Sequence, residues 1–266
     1  MTFASREALD LFLRRHRLTP EKGLGQHFLA DNAVVRAIVD EVTDAASVLE
    51  IGPGPGILTG PLTERHHVIA LEIDPRMRAA LAESAPLALI RWGDALQTDL
   101  GAVLAELDRP RALVSNLPYY ITAPLLSRFA AVRSDVDVMI LMMQKEVGDR
   151  IIAPAGNGER GSLSVYLQRL FSIERVLDVL PEAFLPPPHV RSVVLRFRPL
   201  PVDDDPDFER LVRLGFTTPR KTLANNLSRG FPKELVATAL EALPEKVRPH
   251  ELTEAQWVAL QEALDA

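Results

Sequence analysis

The run Glu50-Ile-Gly-Pro-Gly-Pro-Gly56 constrains this chain more than any other segment. It follows Val48–Ile51, a short apolar run of strand type, and leads into a helical pattern expected over Ile57–Glu64. The glycines Gly52, Gly54 and Gly56 permit positive φ and let a ligand approach the backbone closely. Glu72 stands 20 residues beyond Gly52, at the end of the next apolar run, Val68–Ile73. That spacing suits two ribose hydroxyls donating into one carboxylate. Strand, glycine turn, helix, and a second strand ending in an acid together describe a nucleoside-binding sheet, with the ligand at the carboxyl ends of the strands.

The same alternation continues. Pro75 opens a helix expected to run to Ser84, and Ala88–Trp92, Ala112–Ser115 and Val136–Met142 read as further strands. Thr122 is placed to cap a helix over Pro124–Val132. Strands alternating with helices imply an α/β fold with a mostly parallel sheet of Rossmann-like type. Ile173–Leu180 and Ser192–Arg198 read as an antiparallel pair at its edge. The proline-rich stretch Pro181–His189 between them is expected to be neither strand nor helix. Pro199–Pro206 reads as a linker. Beyond it lie four helical patterns, Phe208–Phe216, Lys221–Leu227, Lys233–Ala242 and Glu254–Leu264. The expected division is a catalytic domain over 1–200, with a helical segment over 1–46, and an all-α domain over 201–266.

Glu50 narrows the ligand. In dinucleotide-binding turns a helix N-terminus receives pyrophosphate, and a carboxylate at the mouth of the turn repels it. A carboxylate favours a cation instead, such as the ammonium or sulfonium of S-adenosylmethionine. No hydride-transfer residues are evident, which argues against a nicotinamide-dependent oxidoreductase. Asp94 closes the third strand, where it either accepts from the exocyclic amine of an adenine ring or caps Ala95–Leu100.

Asn116-Leu-Pro-Tyr-Tyr120 closes the fourth strand and faces the same cleft. An exocyclic adenine amine is a poor nucleophile, because its lone pair is delocalised into the ring. Two acceptors that engage both N–H groups pyramidalise the nitrogen and aim the lone pair at a methyl donor. The Asn116 side-chain oxygen and the Leu117 carbonyl can form that pair. Pro118 stiffens the turn, and Tyr119 can stack on an extruded or unpaired base. The alternative is a strand-ending turn carrying two core tyrosines.

Composition excludes several other chemistries. The chain has no Cys, so disulfides, thiolate metal sites and Cys nucleophiles are excluded. His spacing suggests no metal site. No long uncharged apolar run predicts a membrane span, and Met1–Arg17 lacks the apolar core of a secretory signal, so a cytoplasmic monomer is expected. Net charge is −6, yet nine basic residues against five acidic ones lie between Arg191 and Lys233. Arg14, Arg15, Arg17 and Lys22 make a second basic stretch. Local positive patches can contact phosphate despite an acidic average; scattered surface charge is the plainer reading.

Gly25-Gln-His-Phe-Leu29, Glu50–Gly56, Glu72, Gly93-Asp94 and Asn116–Tyr120 together resemble the rRNA adenine N6,N6-dimethyltransferase family. The branch acting on small-subunit (16S) rRNA is the nearest match, since Phe184-Leu-Pro-Pro-Pro-His-Val-Arg-Ser192 is similar to its Phe-x-Pro-x-Pro-x-Val-x-Ser segment and Arg220–Leu227 to its C-terminal segment. The resemblance implies S-adenosyl-L-methionine as cofactor and dimethylation of two adjacent adenosines near the rRNA 3′ end, in the context of the (pre-)30S subunit. It implies that Gln26, His27, Leu29, Glu50, Gly52, Gly54, Gly56, Glu72, Asp94 and Asn116 hold the cofactor. Asn116, Leu117, Pro118 and Tyr119 serve the target base, with Phe184 stacking opposite Tyr119 or else packing in the core. The family usually carries Asn where this chain has His27. Arg220 and Lys221 are the expected RNA phosphate contacts, or else part of a solvated helix face. A large-subunit rRNA adenine dimethyltransferase and an assembly factor acting by binding alone are the competing expectations.

Overall fold

The computed structural model describes residues 5–21, 23 and 25–265. Lys22, one of the N-terminal basic residues, lies outside them. The described strands are β1 Phe28–Leu29, β2 Ser47–Ile51, β3 His67–Glu72, β4 Leu89–Trp92, β5 Arg111–Asn116, β6 Val138–Gln144, β7 Phe171–Val179, β8 Phe184–Leu185 and β9 Ser192–Pro199. Seven of them form one sheet in the order β4-β3-β2-β5-β6-β9-β7. The pairs β2/β3, β3/β4, β2/β5 and β5/β6 are parallel, and β6/β9 is antiparallel. This is the α/β class expected from the alternation.

The chain separates into two compact units: Met1–Gly148 with Ile173–Pro199, and Asp149–Ser172 with Leu200–Ala266. In the first, β2 is buried at every position, as a central parallel strand must be. Strand order reverses at β2, which lies between β3 on one side and β5 on the other. Open α/β sheets bind ligands beside that reversal, at the carboxyl ends of the strands. The helix Arg6–Arg15 is capped by Ser5 and buries Leu9, Phe12 and Leu13, while Asp31 caps Asn32–Asp40. Leu62, Met77 and Leu81 pack in the same core as these helices and the sheet.

The second unit takes in Asp149–Ser172, a stretch that a boundary at residue 200 leaves with the sheet. Val165, on the helix Ser162–Leu170, is fully buried among Phe208, Val212, Trp257 and Leu260. The buried Arg160 guanidinium donates to the Leu252 carbonyl, and Arg169 pairs with Glu254 at 3.2 Å. A charged group so enclosed must be hydrogen-bonded, and these bonds tie the segment to Leu252 and to the helix Glu254–Asp265, while the Arg169 guanidinium over the Phe208 ring joins it to the helix Pro206–Gly215.

Three local expectations change. Ile57–Glu64 contains only the short helix Thr59–Leu62. Thr122 is the first helical residue rather than the cap, and its hydroxyl donates back to the Pro118 carbonyl at 3.2 Å. Within Pro181–His189, Phe184 and Leu185 form a strand after all, because their backbone pairs antiparallel with Phe28–Leu29. Among the described residues no helix is long and apolar enough to cross a membrane, and no His/Asp/Glu cluster can hold a metal ion.

Candidate active site

A cavity of about 250 Å³ opens at the carboxyl ends of β2, β3, β4 and β5. Its floor is the glycine turn. Gly52 has φ +72, and a side chain there would project into open space that belongs to the cavity. Glycine therefore keeps the cradle empty for a ligand. Gly54 also lines the cavity. Gly56 does not: it has φ +88, and a Cβ would lie 2.2 Å from the Ser84 hydroxyl, so its work is to seat the turn against the helix Arg78–Ser84.

Two carboxylates are buried at this floor. Glu50 is 2% exposed, and its Oε2 has no hydrogen-bond partner. Burial pushes its carboxyl up to about 8, against the pull of the Thr59 hydroxyl, and the charge on Glu72 adds to the rise. A buried oxygen without a partner is costly, and a cation or N–H donor entering the cavity would satisfy it. Glu72 accepts from the Gly54 N–H at 2.8 Å and the Asp74 N–H at 2.7 Å. Burial also raises its carboxyl, and those backbone bonds oppose the shift. Each oxygen of Glu72 keeps a further lone pair for hydroxyl donors. Asp94 lines the cavity and accepts from the Leu96 N–H at 2.9 Å. No helix begins at Ala95, but Asp94 caps the turn that follows it, since its carbonyl also accepts from the Thr98 N–H at 2.8 Å; the helix Leu100–Ala105 has its own cap in Asp99.

A strap over the cavity is built from Gln26–Leu29. Gln26 donates to Asp74 Oδ2 at 2.9 Å, and its Oε1 accepts from the Glu21 N–H at 2.9 Å, so this side chain is committed to the strap. The bridge from Arg76 holds the Asp74 carboxyl well below its ordinary range, with Gln26 acting in the same direction. His27 Nδ1 lies 2.9 Å from the Pro186 carbonyl. A carbonyl only accepts, so Nδ1 carries the proton. The strap's far end is Phe28–Leu29, paired with Phe184–Leu185.

The wall opposite is Asn116–Tyr120. Asn116 Nδ2 donates to the His27 carbonyl at 3.1 Å, which leaves Oδ1 as the accepting end of that amide. Leu117 is anchored by its N–H to the Met142 carbonyl at 2.9 Å. The Tyr119 hydroxyl bonds the Ser192 hydroxyl at 2.7 Å, and its ring stacks on His27 with centroids 5.8 Å apart. Desolvation raises the Tyr119 phenol above its ordinary value, so it remains a neutral ring.

Gln26, His27, Leu29, Glu50, Gly52, Gly54, Glu72, Asp94 and Asn116–Tyr119 therefore line one cavity. Phe184 does not. Its ring is fully buried in the core and its backbone is paired with Leu29, so of its two expected places it takes core packing and not the stacking position opposite Tyr119. Bringing a buried Phe out to a ligand forfeits about 1.5–3 kcal/mol of burial. Tyr120 and Ile73 also line the cavity and were not singled out individually. The sequence marks them only as the last residues of the segment Asn116–Tyr120 and of the apolar run Val68–Ile73.

Arg220 and Lys221 belong to the second unit. Both are exposed, and neither has an ion-pair partner among the described residues. The turn carrying them is pinned by Asn226, which is fully buried. Its Nδ2 donates to the carbonyls of Gly215 at 2.6 Å and Thr218 at 3.1 Å, and its Oδ1 accepts from the Thr218 N–H at 3.1 Å.

Residues 18–266 match the family model described as ribosomal RNA adenine dimethylase. A ribosomal RNA small subunit methyltransferase A from Laribacter hongkongensis is 41% identical over 254 residues, covering 92% of this chain and 95% of that protein. A protein of the same name from Geobacillus thermodenitrificans is 37% identical, over 95% of this chain and 93% of its own. Among solved structures, a dimethyladenosine transferase from Plasmodium falciparum superposes with a TM-score of 0.74 at 26% identity, covering 88% of this chain and 96% of that one. The 23S rRNA methyltransferase ErmE gives 0.67 at 27% identity, covering 90% and 100%.

Proposed function

The chain belongs to the ribosomal RNA adenine dimethylase family and is an S-adenosyl-L-methionine-dependent small-subunit rRNA adenine N6,N6-dimethyltransferase; we propose that its targets are two adjacent adenosines near the 3′ end of 16S rRNA. It acts on them within the (pre-)30S subunit, as a monomer in the cytoplasm. The observation that carries the catalytic reading is one juxtaposition. A buried carboxylate oxygen without a partner, on Glu50, shares a single cavity with the fixed side chain of Asn116.

The donor set fits the cofactor. Glu50 suits the cationic methionine end, the Glu72 carboxylate the ribose hydroxyls, and Asp94 the adenine amine. The empty cradle at Gly52 admits a ligand against the backbone. S-adenosylmethionine, when bound, supplies an electrophilic methyl group. The remaining work belongs to this chain's own residues. Asn116 Oδ1 and the Leu117 carbonyl each accept one N–H of the target amine, which localises the nitrogen lone pair. Pro118, with φ −60, and the Leu117 N–H bond hold that carbonyl in place. Tyr119, clamped by Ser192 and His27, presents its ring to the base. Alignment of this kind lowers a barrier by orientation rather than by prior deprotonation. His27 meets the protein through its ring and its carbonyl, so the usual Asn is not needed there for the Asn116 bond. Arg220 and Lys221 contact phosphate.

The test is incubation with tritiated S-adenosylmethionine and unmethylated small subunits, followed by digestion and identification of the nucleoside by mass. N6,N6-dimethyladenosine at two adjacent positions near the 3′ end is the expected result. Label in another nucleoside, or dimethyladenosine elsewhere, overturns the target assignment.

A further inference from the structure

Tyr120 has no part in the chemistry above, yet its placement is specific. The residue is 57% exposed, and it is the one aromatic among the exposed large apolar residues of the described part of the chain. Its backbone is held in the tight turn Tyr119–Ile121. Its ring lies against Gly25, where an added Cβ would come within 3.2 Å of Cδ1. It lines the same cavity as Tyr119. The two consecutive tyrosines are thus used differently. Tyr119 is half-buried, hydrogen-bonded and flanked by His27, whereas Tyr120 beside it is more than half exposed.

An RNA strand that delivers one base into a cavity breaks the stack between that base and its neighbour. The neighbour is left near the entrance with one face bare. Aromatic side chains commonly replace such stacking in the recognition of unpaired RNA. We propose that Tyr120 is the stacking platform for the nucleobase adjacent to the target adenine, a second base subsite outside the methylation pocket. It rests on the reading of the cavity as the site of adenine methylation. The subsite takes an unpaired nucleobase through its π face. Methyl groups on N6 lie at the base edge, so the platform accepts a neighbour whether or not it is already dimethylated. This is the property needed when two adjacent adenosines take turns in one pocket. Only the ring is required, because stacking makes no use of the phenolic hydroxyl.

The test uses the full chain with unmethylated small subunits and S-adenosylmethionine, comparing wild type, Tyr120→Ala and Tyr120→Phe. Each is also titrated with S-adenosylhomocysteine. Tyr120→Ala is expected to raise the KM for subunits about tenfold, the order of one base–aromatic stack. The affinity for S-adenosylhomocysteine is expected to stay the same. Tyr120→Phe restores the KM to within about threefold of wild type. If Tyr120→Ala instead weakens S-adenosylhomocysteine and leaves the subunit KM unchanged, the ring serves only to hold the strap at Gly25, and the platform is overturned. An unchanged KM and an unchanged affinity overturn it as well. Failure of the wild type itself to methylate adenine N6 overturns the underlying reading, a result distinct from either.

Discussion

The side-chain amide of Asn116 donates to the backbone carbonyl of His27 across 3.1 Å. The bond joins the end of β5 to the strap that crosses the cavity, 89 residues earlier in the chain. The amide oxygen that would receive the target amine is therefore oriented by the element that covers the cofactor pocket. Acceptor geometry and strap closure are one arrangement. His27 adds to it from the other side, with its ring on Tyr119 and its Nδ1 proton on the Pro186 carbonyl.

Glu50 makes stability and ligand affinity depend on pH in opposite senses. Its carboxyl is raised from 4.5 to about 8 in the folded chain. The folded state then holds a proton that the unfolded state has released. The stability this proton contributes is present below about pH 4.5 and is lost as pH rises through about 8. Without ligand, Glu50→Gln is expected to melt higher than wild type above pH 8, and the two to converge toward pH 4. A cation beside Glu50 favours the carboxylate, so wild-type affinity for S-adenosylhomocysteine is expected to increase from pH 6 to pH 8 while the variant stays weak and flat. Calorimetry at the two pH values reads both effects; a pH-independent wild type contradicts them.

Gly56 tests the seating of the turn. A methyl group there meets the buried Ser84 hydroxyl, which itself donates to the Pro55 carbonyl at 2.8 Å, and the φ of +88 is strained for any side chain. Gly56→Ala is expected to cost about 2–3 kcal/mol in denaturant unfolding. Ser84→Ala in that background should return part of the loss by removing the clash. Equal stability of Gly56→Ala and wild type would refute the account of this turn.

Much of this architecture is legible in the sequence, and for a physical reason. β2, β3 and β5 are buried along most of their length, so each is written as a short, mostly apolar run, and Gly52, Glu72 and Asn116 stand at the carboxyl ends of these runs; Asp94 follows the partly exposed β4, where the signal is weaker. The pairing of Phe28–Leu29 with Phe184–Leu185 carries no such mark. Two residues have no periodicity, and their partners lie more than 150 residues apart. The same blindness leaves Phe184 with two places, against the ligand or in the core, since a motif shows that an aromatic is present but not which way it is packed. Asp149–Ser172 goes unassigned to the second unit because its partners, Phe208, Leu252 and Trp257, come tens of residues later.

Tyr119 separates ring from hydroxyl. Tyr119→Phe loses one hydrogen bond, to Ser192, and keeps the ring. It is expected to lower kcat/KM for subunits by no more than about tenfold, in line with about 0.5–1.5 kcal/mol for a neutral hydrogen bond. Tyr119→Ala removes the stacking face and should lose about 10- to 100-fold. Steady-state kinetics with purified subunits distinguishes them, and a Phe variant as impaired as the Ala variant would shift the role to the hydroxyl.

Arg220 and Lys221 bear on RNA affinity. Replacing both by Glu is expected to weaken subunit binding and to flatten its dependence on salt, by about one unit of logarithmic slope for each phosphate no longer neutralised. S-adenosylhomocysteine binding serves as the folding control. An unchanged salt slope would remove both residues from the phosphate interface.

The most direct measurement is single-turnover methyl transfer to unmethylated small subunits by Asn116→Ala, at saturating S-adenosylmethionine, with subunit binding measured in parallel. If the Asn116 oxygen and the Leu117 carbonyl together orient the adenine amine, subunit binding stays within about threefold and the transfer rate falls by about 10²–10³, the usual loss for one preorganised hydrogen-bonding partner of a reacting group. Transfer near the wild-type rate would contradict the account at its centre.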